Sequence, residues 1–137
     1  MQTFLPYSDF QGSAACLDRM RLGKQRVECM QILSALRGNG KGWGRHPAAL
    51  MWAGHEDALE QYMRCCIMEW IGRGYKNTIA IPEENWDFVQ PWWLGDMRFH
   101  LSHRSNLIRK LPDHYTRFGW DPNPDLPYFW PTKELSK

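Results

Sequence analysis

Between Arg19 and Arg45 the chain carries seven basic residues, Arg19, Arg21, Lys24, Arg26, Arg37, Lys41 and Arg45, against a single acid, Glu28. A carboxylate there faces whatever anion the cations attract, which is costly unless it stabilises developing positive charge or moves protons. The competing reading is a plain helical ion pair with Lys24 or Arg21. A second basic run, Arg98, Arg104, Arg109 and Lys110, lies between Met97 and Pro112 with no acid among it. The intervening stretch from Glu56 to Asp96 is acidic, eight carboxylates against Arg64, Arg73 and Lys76. The net charge is only +2, yet two basic stretches around an acidic one can fold into a positive face over a negative back, the footprint of a phosphate-backbone binder. A solvated helix surface would produce the same charge pattern.

Other constellations carry less. His100 and His103 stand three apart on a basic stretch, but no glutamate or third ligand accompanies them, so a metal-dependent nuclease is the weakest enzyme reading and no metal is expected. The order of Ser, His, Asp and Cys singles out no hydrolase triad. Cys65 and Cys66 are adjacent, and Cys16 and Cys29 have no Cys-x-x-Cys spacing, so the four cysteines read as reduced and packed. Gly38 to Pro47 holds four glycines with Lys41 and Arg45 and reads as a basic loop able to approach a ligand backbone, without a Walker pattern.

The elements that must position these residues are restricted by composition. Val, Ile and Thr together are scarce while Leu, Met, Ala, Arg and Glu abound, so an all-α fold is expected. The 137 residues, 43% of them hydrophobic, suit one domain, 1–137, with its own core. No apolar run reaches the roughly 18–20 residues of a membrane span. The start Met1-Gln2-Thr3-Phe4-Leu5-Pro6 lacks a signal-peptide pattern, so a cytoplasmic monomer is expected.

A first helix is predicted from Gly12 or Ser13 to Arg37, with Leu22, Cys29, Ile32, Leu33 and Leu36 on one stripe and Arg21, Lys24, Glu28 and Gln31 along its flank. A second runs from Pro47 to about Gly72, turning Trp52, His55, Leu59, Tyr62, Met63, Cys66 and Trp70 to the core. A third extends from Pro91 to Pro112, apolar through Leu94, Met97, Leu101 and Ile108 and polar through Arg98, Ser102, His103, Asn106, Arg109 and Lys110. The aromatic and proline-rich tail from Tyr115 to Pro131 is expected to wrap the helices and close the core, base stacking being its other use.

Leu17-Asp18-Arg19 through Glu28, Arg37-Gly38, Gly42-Trp43, Arg45-His46-Pro47, Trp52-Ala53-Gly54-His55 and Arg73-Gly74-Tyr75 together resemble the pyrimidine-dimer DNA glycosylase family of the phage endonuclease V type. Ser102-His103-Arg104-Ser105-Asn106-Leu107, Pro112-Asp113-His114-Tyr115 and Phe118-Gly119-Trp120 look like that family's closing helix and aromatic tail. The resemblance implies a compact all-α domain of about three main helices with the N-terminal segment threaded between them. It also implies a DNA glycosylase with abasic-site lyase activity. In such an enzyme an N-terminal α-amine attacks the sugar C1′, the base leaves, and the Schiff base undergoes β-elimination.

Laid together without a gap from Leu17 to Pro47, the two patterns put the family's catalytic glutamate on Glu28. The nucleophile falls on the amine of Met1, or of Gln2 once Met1 is removed. An α-amine titrates at about 7.7–8.0 and is partly neutral at physiological pH, so no cofactor is expected. DNA binding falls to Arg21, Lys24, Arg26, Arg45, His46, His103, Arg104, Asn106, Arg109 and Lys110, with phosphates held by Arg21, Lys24, Arg26, Arg45 and the Arg104 to Lys110 face. The implied partner is double-stranded DNA with a damaged or modified pyrimidine or an abasic site, bent or base-flipped to expose C1′. The chain departs from the family at Gln2, where a small residue is usual, and at Val27 and Gln31, where arginines are. Photodimers are therefore one of several substrates left open. A non-catalytic DNA-binding module on the same fold is the alternative, and the implied setting is the nucleoid of a bacterium or of a phage-infected cell.

Overall fold

Helices begin where a short polar side chain can take the first orphan N–H groups, and four such caps divide the chain. A computed structural model describes residues 2–38, 46–121 and 125–131, and among these it is all-α, with no strand. Asp9 accepts from Gly12 N–H and starts α1, Phe10–Cys16. Asp18 accepts from Arg21 N–H and starts α2, Arg19–Leu36. His46 caps α3, Pro47–Leu50, through Ala48 N–H, and Asp96 caps α5, Met97–Lys110, through Arg98 N–H. Between them lies α4, Glu56–Gly72; α6, Pro112–Tyr115, and a 3₁₀ turn, Thr116–Phe118, follow α5.

Each of the three long helices expected from periodicity is therefore present, but the first two are interrupted and the third starts later than predicted. The first is broken at Leu17 and Asp18, both extended, because Asp18 is held outside the helix. Its N–H donates to the Tyr115 hydroxyl at 3.0 Å, and that hydroxyl donates back to Asp18 Oδ1 at 2.5 Å. The second breaks at Gly54, whose φ of 81° only glycine adopts readily, so Trp52 and His55 lie before α4 rather than on its face. The third starts after Gly95, at φ 100°, rather than at Pro91.

Buried Tyr115 ties the tail to the start of α2. Removing its hydroxyl in Tyr115→Phe leaves the Asp18 N–H without its acceptor and takes from Asp18 Oδ1 one of its donors, the Arg21 guanidinium remaining. The variant is expected to lose about 1–3 kcal/mol, measured as a lower urea midpoint; an unchanged midpoint would show that water replaces the hydroxyl there.

In the core α2 and α1 both pack on α4. Trp52, Tyr62, Trp93, Phe99 and Tyr115 are fully buried, with Trp52 edge-on to Trp93 at 4.8 Å between ring centroids. All four cysteines are free. Burial pushes the Cys16 and Cys65 thiols up to about 12, so neither supplies a thiolate at neutral pH. No helix among the described residues is long and apolar enough to cross a membrane.

The largest departure from the sequence pattern is the orientation of α5. Its predicted apolar stripe is partly outside, Met97 being 50% and Leu101 36% exposed, while Phe99, His100, Ser102, His103, Ser105, Asn106, Leu107 and Ile108 are buried. The polar side chains on the inner face have partners. Ser102 and Ser105 hydroxyls accept from the Phe129 and Leu126 N–H groups of the tail, and Asn106 donates to the Leu126 carbonyl. The helix turns polar groups inward because two segments without secondary structure need their backbones satisfied.

Candidate active site

The N-terminal segment, residues 2–6, passes between α2, α4 and α5, and side chains rather than a neighbouring strand meet its backbone. Gln25 is buried and grips it twice: Nε2 donates to the Gln2 carbonyl and Oε1 accepts from Phe4 N–H, both at 2.7 Å. The Tyr62 hydroxyl donates to the Phe4 carbonyl, and Trp52 Nε1 donates to Thr3 Oγ1 at 3.1 Å. Leu5 is held from both sides by α5, its N–H donating to His103 Nδ1 at 2.9 Å and its carbonyl meeting His100 Nδ1 at 2.7 Å. Arg104 Nε donates to the Pro6 carbonyl at 2.8 Å and its guanidinium lies over Tyr7.

These bonds fix the histidine tautomers. His100 Nε2 accepts from Gly95 N–H at 2.8 Å, so its proton sits on Nδ1 and points at Leu5; His103 accepts on Nδ1 and carries its proton on Nε2. Burial holds both rings neutral, lowering His100 and bringing His103 down to about 3, where His100 adds a smaller push. The His-x-x-His spacing is thus an anchor for Leu5. Among the described residues no group of three His, Cys, Asp or Glu side chains converges as a metal site.

The segment ends at Glu28. Gln2 N–H donates to Glu28 Oε2 at 2.5 Å, and Glu28 stands three residues after Gln25 on the same side of α2. Beyond this contact opens a cleft of about 270 Å³ lined by Gln2, Phe4, Met20, Arg21, Lys24, Gln25, Glu28 and Lys110. A carboxylate and a main-chain nitrogen thus share one wall of a cavity whose rim carries three cations. Such a site can accept a hydrogen bond from that nitrogen, stabilise positive charge beside it and hold phosphates around it.

Of the residues expected from sequence, Glu28, Gln2, Arg21, Lys24 and Lys110 come together here, with Arg21 also paired to Asp18 at 3.1 Å. Met1 and Arg45 lie outside the described residues. Arg26 is turned away, its guanidinium 4.4 Å over the Trp70 ring and donating to Asn77 Oδ1 at 2.6 Å. Trp70 reaches it across Gly23, where a Cβ would sit 3.1 Å from the indole. His46 caps α3 with its ring edge toward Trp130, and Arg109 bonds Asn106 Oδ1. His103 and Asn106 are buried, so the expectation that they bind DNA is corrected: α5 presents them to the N-terminal segment and the tail.

Gln25, Tyr62 and Trp52 position the site and were not among the expected site residues. Gln25 had a legible signal, since it fills the i+3 place between Leu22 and Cys29 on the apolar stripe of α2, where a polar side chain needs a partner.

The helical fold thus threads its N-terminal segment to a lone carboxylate in a cleft lined by Arg21, Lys24 and Lys110. The chain belongs to the pyrimidine dimer DNA glycosylase family, whose model matches residues 1–82, the part that holds Gln2, Gln25 and Glu28. No curated protein and no solved structure matches the chain. Its function is of the pyrimidine-dimer DNA glycosylase type, a type that acts on DNA.

Proposed function

We propose that the chain excises a damaged pyrimidine from duplex DNA and then cleaves the abasic site by β-elimination, using the amine of Gln2, freed by removal of Met1, as nucleophile. The observation that carries this reading is the 2.5 Å contact between the Gln2 nitrogen and Glu28 Oε2. An amine at that position is next to a base for its proton and needs no cofactor to be nucleophilic near neutral pH. It attacks C1′ as the base departs. Glu28 takes the proton that the alkylated nitrogen sheds and returns one to the sugar ring oxygen as the ring opens to the imine. Loss of a C2′ proton then expels the 3′ phosphate, with Arg21, Lys24 and Lys110 holding the flanking phosphates.

The test is borohydride reduction of the protein on a duplex with one abasic site, followed by mass mapping of the adduct. The expected adduct lies on the peptide beginning at Gln2, and one added residue ahead of Gln2 is expected to abolish it while DNA binding persists. No adduct from protein shown to begin at Gln2, with binding intact, would favour a non-catalytic DNA-binding module.

A further inference from the structure

The side chain of Gln2 has no role in the chemistry described so far, yet it is placed to take one. Its Nε2 is buried and makes no hydrogen bond, although Gln2 lines the catalytic cleft beside Glu28. A buried amide donor without a partner is disfavoured by the full cost of its lost hydration, so a side chain held this way in a ligand cleft awaits an acceptor from the ligand. Most other polar groups around it are matched: Gln25 holds the Gln2 carbonyl and the Phe4 N–H, and Glu28 holds the Gln2 nitrogen.

The acceptor follows from the connectivity of the reaction. A nitrogen that bonds to C1′ brings its own side chain up to the departing base. The pyrimidine oxygen nearest the breaking C1′–N1 bond is O2, on the carbon next to N1. As the N–C1′ bond forms, the C1′–N1 electron pair leaves with the base, and its charge is shared between N1 and O2. A preorganised N–H aimed at that charge stabilises the departing anion more than the intact nucleotide, which is the condition for catalysis.

Resting on the amine reading above, we propose that the Gln2 carboxamide donates to pyrimidine O2 and stabilises the leaving base, acting in base release and not in cleavage of a site already abasic. The carboxamide donates a hydrogen bond only. The proton shed by the alkylated amine goes to Glu28, and the released base anion takes its proton from water.

The test compares wild type with Gln2→Met, a substitution of similar length without a donor, both released from a cleavable leader so that residue 2 is the first residue, with masses confirming a free amine. Each is assayed under single-turnover conditions on an abasic duplex for strand cleavage and on a duplex with a thymine cyclobutane dimer for base release, read as the thymine freed on photoreversal, because the cyclobutane ring holds the detached base to its neighbour until then. The ratio of base release to abasic cleavage is expected to fall at least tenfold in Gln2→Met. A ratio within twofold of wild type, or a wild type that cleaves the abasic duplex yet releases no base from the dimer, would overturn the proposal. The amine reading fails separately, by absence of a borohydride adduct in the wild type. Base release compared at equal DNA occupancy then still decides the carboxamide's role, a tenfold fall supporting it and an unchanged rate removing it.

Discussion

Glu28→Gln is expected to lower strand cleavage of an abasic duplex by about 10³-fold, within the range set by loss of a general acid–base group and of charge stabilisation. The substitution is close to isosteric, and a glutamine oxygen can still accept from the Gln2 nitrogen, so the N-terminal segment keeps its seat on α2. What disappears is the negative charge and the capacity to carry a proton. Binding is expected to hold or tighten, because a carboxylate facing phosphates in a cleft with Arg21, Lys24 and Lys110 opposes the association. Single-turnover cleavage and a binding titration at the same salt concentration separate the two effects. Equal cleavage by variant and wild type would take Glu28 out of the mechanism and make its contact with Gln2 a structural one.

The isolation of Glu28 among cations was visible in the sequence because charge is a property of residue type. Its partner was harder to see. That a segment 26 residues earlier returns to it depends on Gln25, Tyr62, His100 and His103, which come from three different elements and converge only in the fold. Helix existence followed from periodicity, whereas the breaks at Asp18, Gly54 and Asp96 follow from caps and positive φ angles that compete with it. On α5 the pattern misled. Hydrophobicity alone turns Leu101 and Met97 inward, but satisfying the backbones of the N-terminal segment and the tail outweighs that preference and buries Ser102, His103, Ser105 and Asn106. Charge reading likewise placed Arg26 on DNA, where the fold stacks it on Trp70.

The same anchoring makes the site sensitive to acid. His103 is neutral in the fold and titrates there at about 3, mainly because it is buried, against about 6.5 when exposed. A depressed folded value means that the unfolded chain binds the proton first, so stability is complete above about pH 6.5 and is lost progressively as pH falls toward about 3. His100 is shifted in the same direction by burial, with Arg104 adding to it and the Leu5 carbonyl and Asp96 opposing it. At about pH 4.5 the His103 contribution alone is on the order of 3 kcal/mol. Protonation would also convert the Nδ1 acceptor facing Leu5 N–H into a donor, so release of the N-terminal segment accompanies the loss. His103→Asn is the informative variant, since its Oδ1 can occupy the acceptor position without titrating. It is expected to be less stable than wild type at neutral pH, from lost ring contacts with Phe99 and Tyr128, but to lose less stability between about pH 6.5 and 4.5. Urea midpoints across that range read the difference, and parallel curves for the two proteins would place the acid sensitivity on other groups.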